Sequence, residues 1–298
     1  MTLLAEEPPA TGNRLDSSAA YQRGERNIML LLLAPAVLVV TALLVAPLLW
    51  LAWQSIYSNG FTLENYGRIF SEDLYWRSFL LTFRLSLEVT VFTLLLGYPV
   101  AYAAASLPRR WSLAVLAMVV VPFWTSVLVR SYAWLVLLQR TGVVNSTLRS
   151  LGLIDAPLAL ANNEIGTLIA TIHILLPFMV LPLYAAMQKI PRDLLLAGAS
   201  LGGTPGYVFR RVFLPLSAPG MAAGAILVFV LCLGFYITPE LLGGGRTLMV
   251  SMLISRNIEL YNEWGAASAI SVVLLICVFT ILAVGRTVVP LSRLTGSQ

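Results

Sequence analysis

The chain has 298 residues, of which 58% are hydrophobic and 11% charged, with a formal net charge of +5 and a mean hydropathy of +0.84. Soluble domains carry roughly 25% charged residues, so this composition excludes a water-soluble fold and a disordered chain. The basic residues are scattered between apolar runs and form no stripe, which excludes a nucleic-acid-binding surface. The composition therefore indicates an integral membrane protein.

Six apolar runs are long enough to cross a membrane as helices, which takes about 20 mostly apolar residues. The runs are 27–63 (apolar to Ile56), 79–105, 112–138, 165–188, 218–238 and 264–285. They are continuous and do not alternate, so they do not fit a membrane β-barrel. We therefore predict an all-α membrane fold with six spanning helices in residues 28–290. A loose N-terminal tail is expected at 1–27 and a second tail at 291–298.

The distribution of basic residues predicts the orientation of these helices. The loops on the side of the termini hold 11 arginines and lysines, and the opposite loops hold six. Positive loops stay in the cytoplasm, so both termini are expected there, with the protein in a bacterial cytoplasmic (inner) membrane. The opposite loops hold eight acidic residues. This excess either attracts cations to the outer mouth or only keeps the loop surface hydrated.

The longest predicted cytoplasmic loop, residues 189–217, has the sequence KIPRDLLLAGASLGGTPGYVFRRVFLPLS. We expect Asp193 to cap a short helix that ends at Gly202-Gly203. A turn follows, and a second short helix is expected to begin near Gly206 and stop at Pro215. Such a hairpin is too polar to span the membrane, and its apolar residues need a covering surface. That surface is either a partner or the chain's own helices.

This loop resembles the EAA loop of ABC-type importer membrane subunits, which has the pattern EAA-x3-G-x9-I-x-LP. Ala197 and Gly198 occupy the two alanine positions, Gly202 follows at the family spacing, and Leu214 and Pro215 close the motif. Leu196 stands where the family usually has glutamate, and Arg192 or Asp193 is expected to supply that polar contact instead. Four further segments resemble the spermidine/putrescine permease subfamily. They are LGYPVAY (96–102), VPFWTSVLVRSYAW (121–134), ILLPFMVLPLY (174–184) and GFYITPELLGGG (234–245).

The resemblance implies a permease subunit of a binding-protein-dependent importer for polyamines. Its implied partners are two ATPase subunits, a second permease that is homologous but usually different, and an extracytoplasmic solute-binding protein. ATP and Mg²⁺ would be bound by the ATPases, so no cofactor is expected in this chain. The helix at 193–203 would sit in a cleft of the ATPase, and ATP-driven closure would then rock the helices between two rigid-body states. The alternative is an importer permease of the same family that transports another solute, such as an amino-acid-like compound.

Three charged residues lie inside predicted spans, where a charge is costly and is a functional candidate by default. Arg84 and Glu88 are four residues apart and are expected to pair on a helix face that points into the bundle. Arg130 is expected to have a structural or gating role, either at the outer gate or as the partner of Glu88. His173 has no second histidine or acidic cluster for a metal site, so we expect a hydrogen-bonded packing residue.

Aromatic residues of the third span and two residues at the break after the fifth span are candidates for the solute path. An ammonium ion gains about 0.5–2 kcal/mol over an aromatic face, which favours Trp124, Tyr132 and Tyr236. Glu240 is the preferred carboxylate for an amine, although it is equally placed to be a solvated loop acid. No catalytic residue set is recognisable, so a membrane enzyme is disfavoured. An ion-driven secondary transporter would require paired broken helices in an inverted repeat, which the sequence does not offer.

Overall fold

The computed structural model describes the backbone of residues 12–57 and 60–288, and the side chains of residues 29, 31–57 and 60–285. Apart from one isolated bridge between Tyr57 and Phe61, the regular structure in these ranges is helical. The helices are α1 (Gly12–Ile56), α2 (Glu64–Ser71), α3 (Asp73–Ser106), α4 (Arg109–Val120), α5 (Val127–Leu138), α6 (Val143–Ser150), α7 (Glu164–Gln188), α8 (Arg192–Ser200), α9 (Pro205–Val208), α10 (Leu214–Leu233), α11 (Ile237–Leu242), α12 (Val250–Glu259) and α13 (Trp264–Val288).

The chain divides into two compact units, residues 1–53 and 54–298. Within the first unit, α1 begins at Gly12, well before the expected start of the first span. Its polar beginning contains three arginines and two alanines, which are good helix formers, and the backbone is helical over much of the stretch expected to be a loose tail. Residues 1–11 and the expected C-terminal tail at 291–298 lie outside the described residues.

Five helical segments in the described residues are long and apolar enough to cross a membrane. A sixth span results if one bent helix pair is counted as a single crossing. The predicted all-α fold is therefore confirmed, and so is the count of six when the bent pair is included. The straight segments are Leu31–Ile56, Asp73–Ser106, Glu164–Gln188, Pro205–Leu233 and Trp264–Gly285.

The core of the second unit is built by α3, α7 and α10, which pack against one another. Leu85, Met179 and Val228, one from each helix, are fully buried in it. Glycines allow the helices to approach closely, as in other membrane bundles. A Cβ atom added to Gly220 would lie 2.5 Å from Cβ of Ala186 on α7, and one added to Gly224 would lie 2.8 Å from Sδ of Met179. Small residues on α10 therefore set its distance from α7.

The third predicted span, 112–138, was wrong as a continuous helix. The chain bends by 99° between Arg109–Trp124 and Val127–Ser150. Pro122 lies in a 3₁₀ turn at Val121–Trp124, and its missing N–H interrupts the helical hydrogen bonds. Ser126 then caps a new helix, because its hydroxyl accepts a hydrogen bond from the Leu128 N–H (3.3 Å). The Pro and Ser of the 121–126 stretch account for the break.

The fifth span also differs from its prediction. The chain is helical without a break from Pro205 to Leu233, so the expected stop at Pro215 was wrong, and the span ends before Thr238. A π-helical segment, Phe209–Phe213, comes just before α10, and the Leu214 N–H donates to the Phe209 carbonyl. This wider turn lets the helix continue into Pro215, which has no N–H to donate and lies in the first turn of α10.

The packing of α10 on α7 makes a stability prediction. Gly220→Ala places a methyl group against Ala186 Cβ and 3.2 Å from the Pro182 carbonyl oxygen, neither of which is a flexible side-chain end. Overpacking of this kind costs about 1–3 kcal/mol, so we expect a lower thermal midpoint for the purified protein in detergent. The control is Gly234→Ala, which meets nothing within 4 Å. Equal midpoints for the two variants would contradict this account of the packing.

Candidate functional site

The loop that resembles the EAA motif forms a helical hairpin, which we call the hairpin (residues 191–208). Its first helix, α8, begins at Arg192, so the expected cap by Asp193 was wrong: Pro191 is the N-cap residue, and no side chain caps the helix. Asp193 instead lies in the first turn, where its charge is favourable to the helix dipole. Arg192, Asp193, Leu196 and Ala197 are all exposed. One face of the hairpin is therefore open to solvent or to a partner.

The turn of the hairpin depends on two glycines of the motif. Gly202 has φ +84°, a left-handed conformation that side chains with a Cβ rarely adopt. Its N–H donates to the Ala199 carbonyl (3.0 Å), and the Gly203 N–H donates to the Gly198 carbonyl (3.1 Å), which closes the end of α8. A Cβ on Gly198 would lie 3.3 Å from Val208 Cγ2. The small residue there lets α8 pack on the second helix of the hairpin.

Leucine side chains give the hairpin an apolar surface that its own helices do not cover. Leu196 is 64% exposed and Leu201 is 90% exposed. A groove of about 470 Å³ lies beside Leu196, between the ends of α3 and α7 and the start of α8. Leu196 lines this groove together with Arg192 and Phe213. In contrast, Leu214 is half-buried and Pro215 is exposed, and both belong to the first turn of α10.

An aromatic cluster attaches the hairpin to the core, and sequence reasoning missed it. Tyr102 of α3 makes edge contacts with Phe209 and Phe213, at centroid distances of 5.5 and 5.1 Å. Tyr98 also contacts Phe209 (6.2 Å), and its hydroxyl lies 3.0 Å from the Ser217 hydroxyl. Both aromatic pairs are four residues apart in the sequence, a spacing that places each pair on one helix face and could have signalled the contact.

The break between α4 and α5 opens a cavity of about 580 Å³, which we call the break cavity. Its lining includes Phe123, Trp124, Arg130, Phe178 and Phe235, from the break itself and from α5, α7 and the end of α10. Irregular backbone at membrane depth is tolerated where it lines a cavity.

Of the four residues predicted for a solute path, only Trp124 lines the break cavity, with its side chain 82% exposed. Tyr132 is 58% exposed on α5, Tyr236 is half-buried and Glu240 is exposed in the first turn of α11. The Ser131 and Thr238 hydroxyls, 2.7 Å apart and buried, join α5 to α11. The predicted residues therefore lie in or directly before two connected helices, α5 and α11, but do not line one common cavity.

The predicted pair of Arg84 and Glu88 is present, with Nε and Oε1 3.6 Å apart. The expectation that the pair points into the bundle was wrong, because the side chains are 52% and 40% exposed. Arg84 also forms an ion pair with Glu164 in the first turn of α7. The group therefore joins α3 to α7 and holds two carboxylates against one guanidinium.

Arg130 is buried and 8% exposed. The sequence predicted Glu88 as a possible partner, but Glu88 is paired with Arg84. No ion pair or hydrogen bond joins the Arg130 side chain to any described residue. Its guanidinium carbon lies 5.9 Å from the centroid of the Phe123 ring. Nearby, the Trp134 Nε1–H donates to His173 Nδ1 (3.2 Å), which confirms His173 as a hydrogen-bonded packing residue.

Near the N-terminal end of α3, a surface ion-pair network holds α2 to the loop before α13. Arg68 donates to Glu263 (2.9 Å) and to Glu72 (3.2 Å). The hydrogen bond to Glu263 raises the pKa of Arg68 above its ordinary value, and burial lowers it by less. Glu263 therefore joins two elements and is more than a free surface charge. Within the described ranges, no group of three His, Cys, Asp or Glu side chains is placed to hold a metal ion.

Residues 94–290 match the family described as the binding-protein-dependent transport system inner membrane component. This chain belongs to that family. It is therefore a multi-pass inner-membrane subunit of a transport system, and not a catalytic enzyme.

Proteins with related sequences carry permease names. The spermidine/putrescine transport system permease protein PotB of Haemophilus influenzae is 36% identical over 219 residues, which is 74% of this chain and 76% of that protein. PotB of Escherichia coli K12 is 35% identical over 224 residues, covering 75% and 81% of the two chains. The inner membrane ABC transporter permease protein YdcU of the same strain is 33% identical, covering 76% and 82%.

Solved structures share the fold. A chain of a bacterial alginate ABC transporter, solved in complex with an alginate pentasaccharide-bound periplasmic protein, has a TM-score of 0.71 at 19% identity and covers 93% of this chain and 98% of its own. A chain of the MetNI methionine ABC transporter in an inward-facing conformation has a TM-score of 0.55 at 18% identity, covering 74% and 97%. At these identities the likeness establishes the fold alone.

The turn of the hairpin makes a prediction that can be checked in the transport system. Gly202→Val forces a β-branched residue into a left-handed conformation, which costs roughly 1–2 kcal/mol. That cost equals about a five- to thirtyfold loss of the native turn, so uptake by membrane vesicles should fall by about that factor.

Two variants test whether this loss comes from the backbone conformation. Gly202→Asn should retain most of the uptake, because asparagine tolerates the left-handed region. Gly206→Val adds the same side chain where nothing lies within 4 Å and should have little effect. The yield of all three variants should match that of the unmodified protein, and the thermal midpoints of Gly202→Asn and Gly206→Val should be close to its midpoint. Undiminished uptake by Gly202→Val would remove the hairpin turn from the transport mechanism.

Proposed function

We propose that this chain is one of the two permease subunits of an ATP-driven, binding-protein-dependent importer of polyamines such as spermidine and putrescine. The observation that carries the proposal is the similarity to PotB permeases, about 35% identity over three quarters of both chains. In this proposal the chain forms half of the translocation path and pairs with a second, homologous permease. A solute-binding protein delivers the polyamine from outside.

The hairpin is the proposed contact with the ATPase subunits. Its exposed residues Arg192, Asp193, Leu196 and Ala197 are the contact surface, while Gly198 and Gly202 give it its shape. Leu214 and Pro215 begin the helix that carries motion away from it. The exposed leucines support this role, since apolar surface of this kind marks a protein contact. Leu196 replaces the usual glutamate of the motif, so its contact with the ATPase is apolar.

ATP and Mg²⁺ are bound by the partner ATPases in this scheme. The only lysine, Lys189, follows Tyr-Ala-Ala-Met-Gln, whereas a phosphate-binding GxxxxGK[ST] loop requires a glycine directly before its lysine. The hairpin faces the cytoplasm, together with both termini, because arginine and lysine are concentrated in the loops on that side. The acidic excess of the opposite loops favours the approach of a cationic solute.

The proposed polyamine route runs along α5 and α11. Trp124, Tyr132 and Tyr236 supply aromatic faces, on which an ammonium group is stabilised. Glu240 supplies a carboxylate, and its exposure on α11 leaves it free to meet a passing solute. The ion-paired group of Arg84 and Glu88 has a structural role, since its charges are already paired.

Reconstitution of the complete importer in proteoliposomes tests this function. With the two permeases, the ATPase and the binding protein present, labelled putrescine should accumulate only when ATP is supplied. Uptake that continues without ATP under an ion gradient, or uptake by this chain alone, would contradict the proposal. Competition by spermidine but not by an unrelated sugar should identify the solute class, and competition by an amino acid alone would indicate the wrong solute.

The role of Glu240 is tested by Glu240→Gln, which removes the charge and keeps the shape. An ion pair between a carboxylate and an ammonium near a protein surface is worth a few kcal/mol at most, and less when solvated. We therefore expect putrescine uptake to fall by about fivefold, mainly through a higher KM. The matched control is Glu259→Gln, at a residue that accepts a hydrogen bond from Ser255 on α12. Equal uptake by both variants would remove Glu240 from the route.

A further inference from the structure

The break cavity contains a buried charge that no described residue of this chain neutralises. Arg130 is 92% buried, and its Nε atom is inaccessible to solvent and has no hydrogen-bond partner. Its side chain lines the cavity and makes no ion pair with any residue in the described parts of the chain. A charge within the membrane is normally paired, because an unpaired one is costly. The missing group must therefore come from outside these residues.

The surroundings of Arg130 favour an anion as that group. Arg130 lies in the first turn of α5, a helix of 12 residues, and the N-terminal end of a helix carries a partial positive charge. The other cavity residues are aromatic, aliphatic or hydroxyl-bearing. A guanidinium with open N–H groups is a donor-only group whose geometry matches a carboxylate. The cavity is thus suited to receive one carboxylate.

Among the residues whose side chains are described, the acidic ones do not fill that role. Glu88 and Glu164 are already paired with Arg84, and Glu72 and Glu263 are paired with Arg68. Glu240 is exposed on α11 and is absent from the lining of the cavity. A carboxylate that reaches Arg130 therefore comes from outside the described residues.

The carboxylate could be carried by the solute or by a neighbouring protein chain, and the charge of the proposed solute decides between them. A guanidinium about 7 Å from an ammonium ion, at an effective dielectric constant of about 20, weakens its binding on the order of fiftyfold. A polyamine carries at least two ammonium groups and no carboxylate, so an unneutralised Arg130 would oppose its passage. A carboxylate from a neighbouring protein chain removes this repulsion, whereas a polyamine cannot.

We propose that Arg130 in the break cavity binds an aspartate or glutamate side chain of the second permease subunit, forming an ion pair between the two permeases. The proposal rests on the proposed function, since it requires a cationic solute and a permease pair. The rim of the cavity agrees with a protein partner: Trp124 is 82% exposed and Phe123 is 48% exposed. Exposed aromatic residues around a buried arginine are typical of interface centres.

The experiment uses the complete importer, with an affinity tag on this chain. Arg130→Gln should reduce the second permease that copurifies by at least about fivefold, and Arg130→Lys should reduce it less because the charge remains. Arg140→Gln is the control, since Arg140 is an exposed arginine outside the break cavity. The yield and thermal midpoint of this chain alone show whether a variant still folds.

A double-mutant cycle identifies the partner group. Each intramembrane Asp or Glu of the second permease is changed to Asn or Gln, alone and together with Arg130→Gln. One of these changes should reproduce the loss of copurification, and the double variant should lose no more than either single one. Full copurification by a folded Arg130→Gln variant, or purely additive losses at every acid, would overturn the proposal.

A carboxylate carried by the solute gives a different result, which also overturns the proposal. In that case Arg130→Gln leaves copurification unchanged and raises the KM for a carboxylate-bearing amine, with ornithine as the probe, while putrescine is not transported. Copurification is measured without any solute, so a failure of the polyamine assignment in wild-type uptake is distinguishable from a failure of the ion pair.

Discussion

One unbroken helix, Pro205–Leu233, runs from the hairpin into the bundle core. The π-helical segment connects the second hairpin helix to α10 without a break in the helix. The glycines of α10 lie against Ala186 and Met179 of α7, so in the proposed mechanism a displacement of the hairpin is passed to the centre of the unit. Closely packed interiors shift between discrete arrangements and do not deform continuously. This continuity is the mechanical basis of the proposed coupling.

The aromatic cluster adds a second attachment between the hairpin and the core. Tyr98 and Tyr102 hold the π-helical segment against α3, so α3 is attached to the segment that joins the hairpin to α10. The opposite end of α3 is held differently, since the Thr82 hydroxyl accepts a hydrogen bond from the Val250 N–H (2.9 Å) at the start of α12. Aromatic packing thus secures the hairpin end of α3, and a hydrogen bond secures its contact with α12.

The sequence predicted the features that depend on composition and on local backbone chemistry. The apolar runs gave the membrane class and the number of crossings, and Gly202 gave the end of α8, because its left-handed turn requires glycine. It did not predict how Pro122 and Pro215 act. Both are prolines within helical runs, yet Pro122 precedes a 99° bend and Pro215 follows a π turn that absorbs its missing N–H. The difference lies in hydrogen bonds that only the folded backbone reveals.

The charged residues were only partly predictable for a related reason. The pairing of Arg84 with Glu88 follows from their spacing on one helix, whereas Glu164 is 80 residues away in the chain. Its contact depends on the packing of α3 against α7. The isolation of Arg130 was likewise hidden, because the sequence offered Glu88 as a partner without showing that Arg84 already occupies it.

The π-helical segment Phe209–Phe213 also affects how the hairpin faces the bundle. Each residue turns an α-helix by about 100°, but a wide turn takes up one extra residue without passing that rotation on. Removal of one residue from the regular part of α10 would instead rotate everything before it by about 100° and move the leucines of the hairpin to another side of the bundle. The wide turn therefore tolerates a change in length that the regular helix beside it does not.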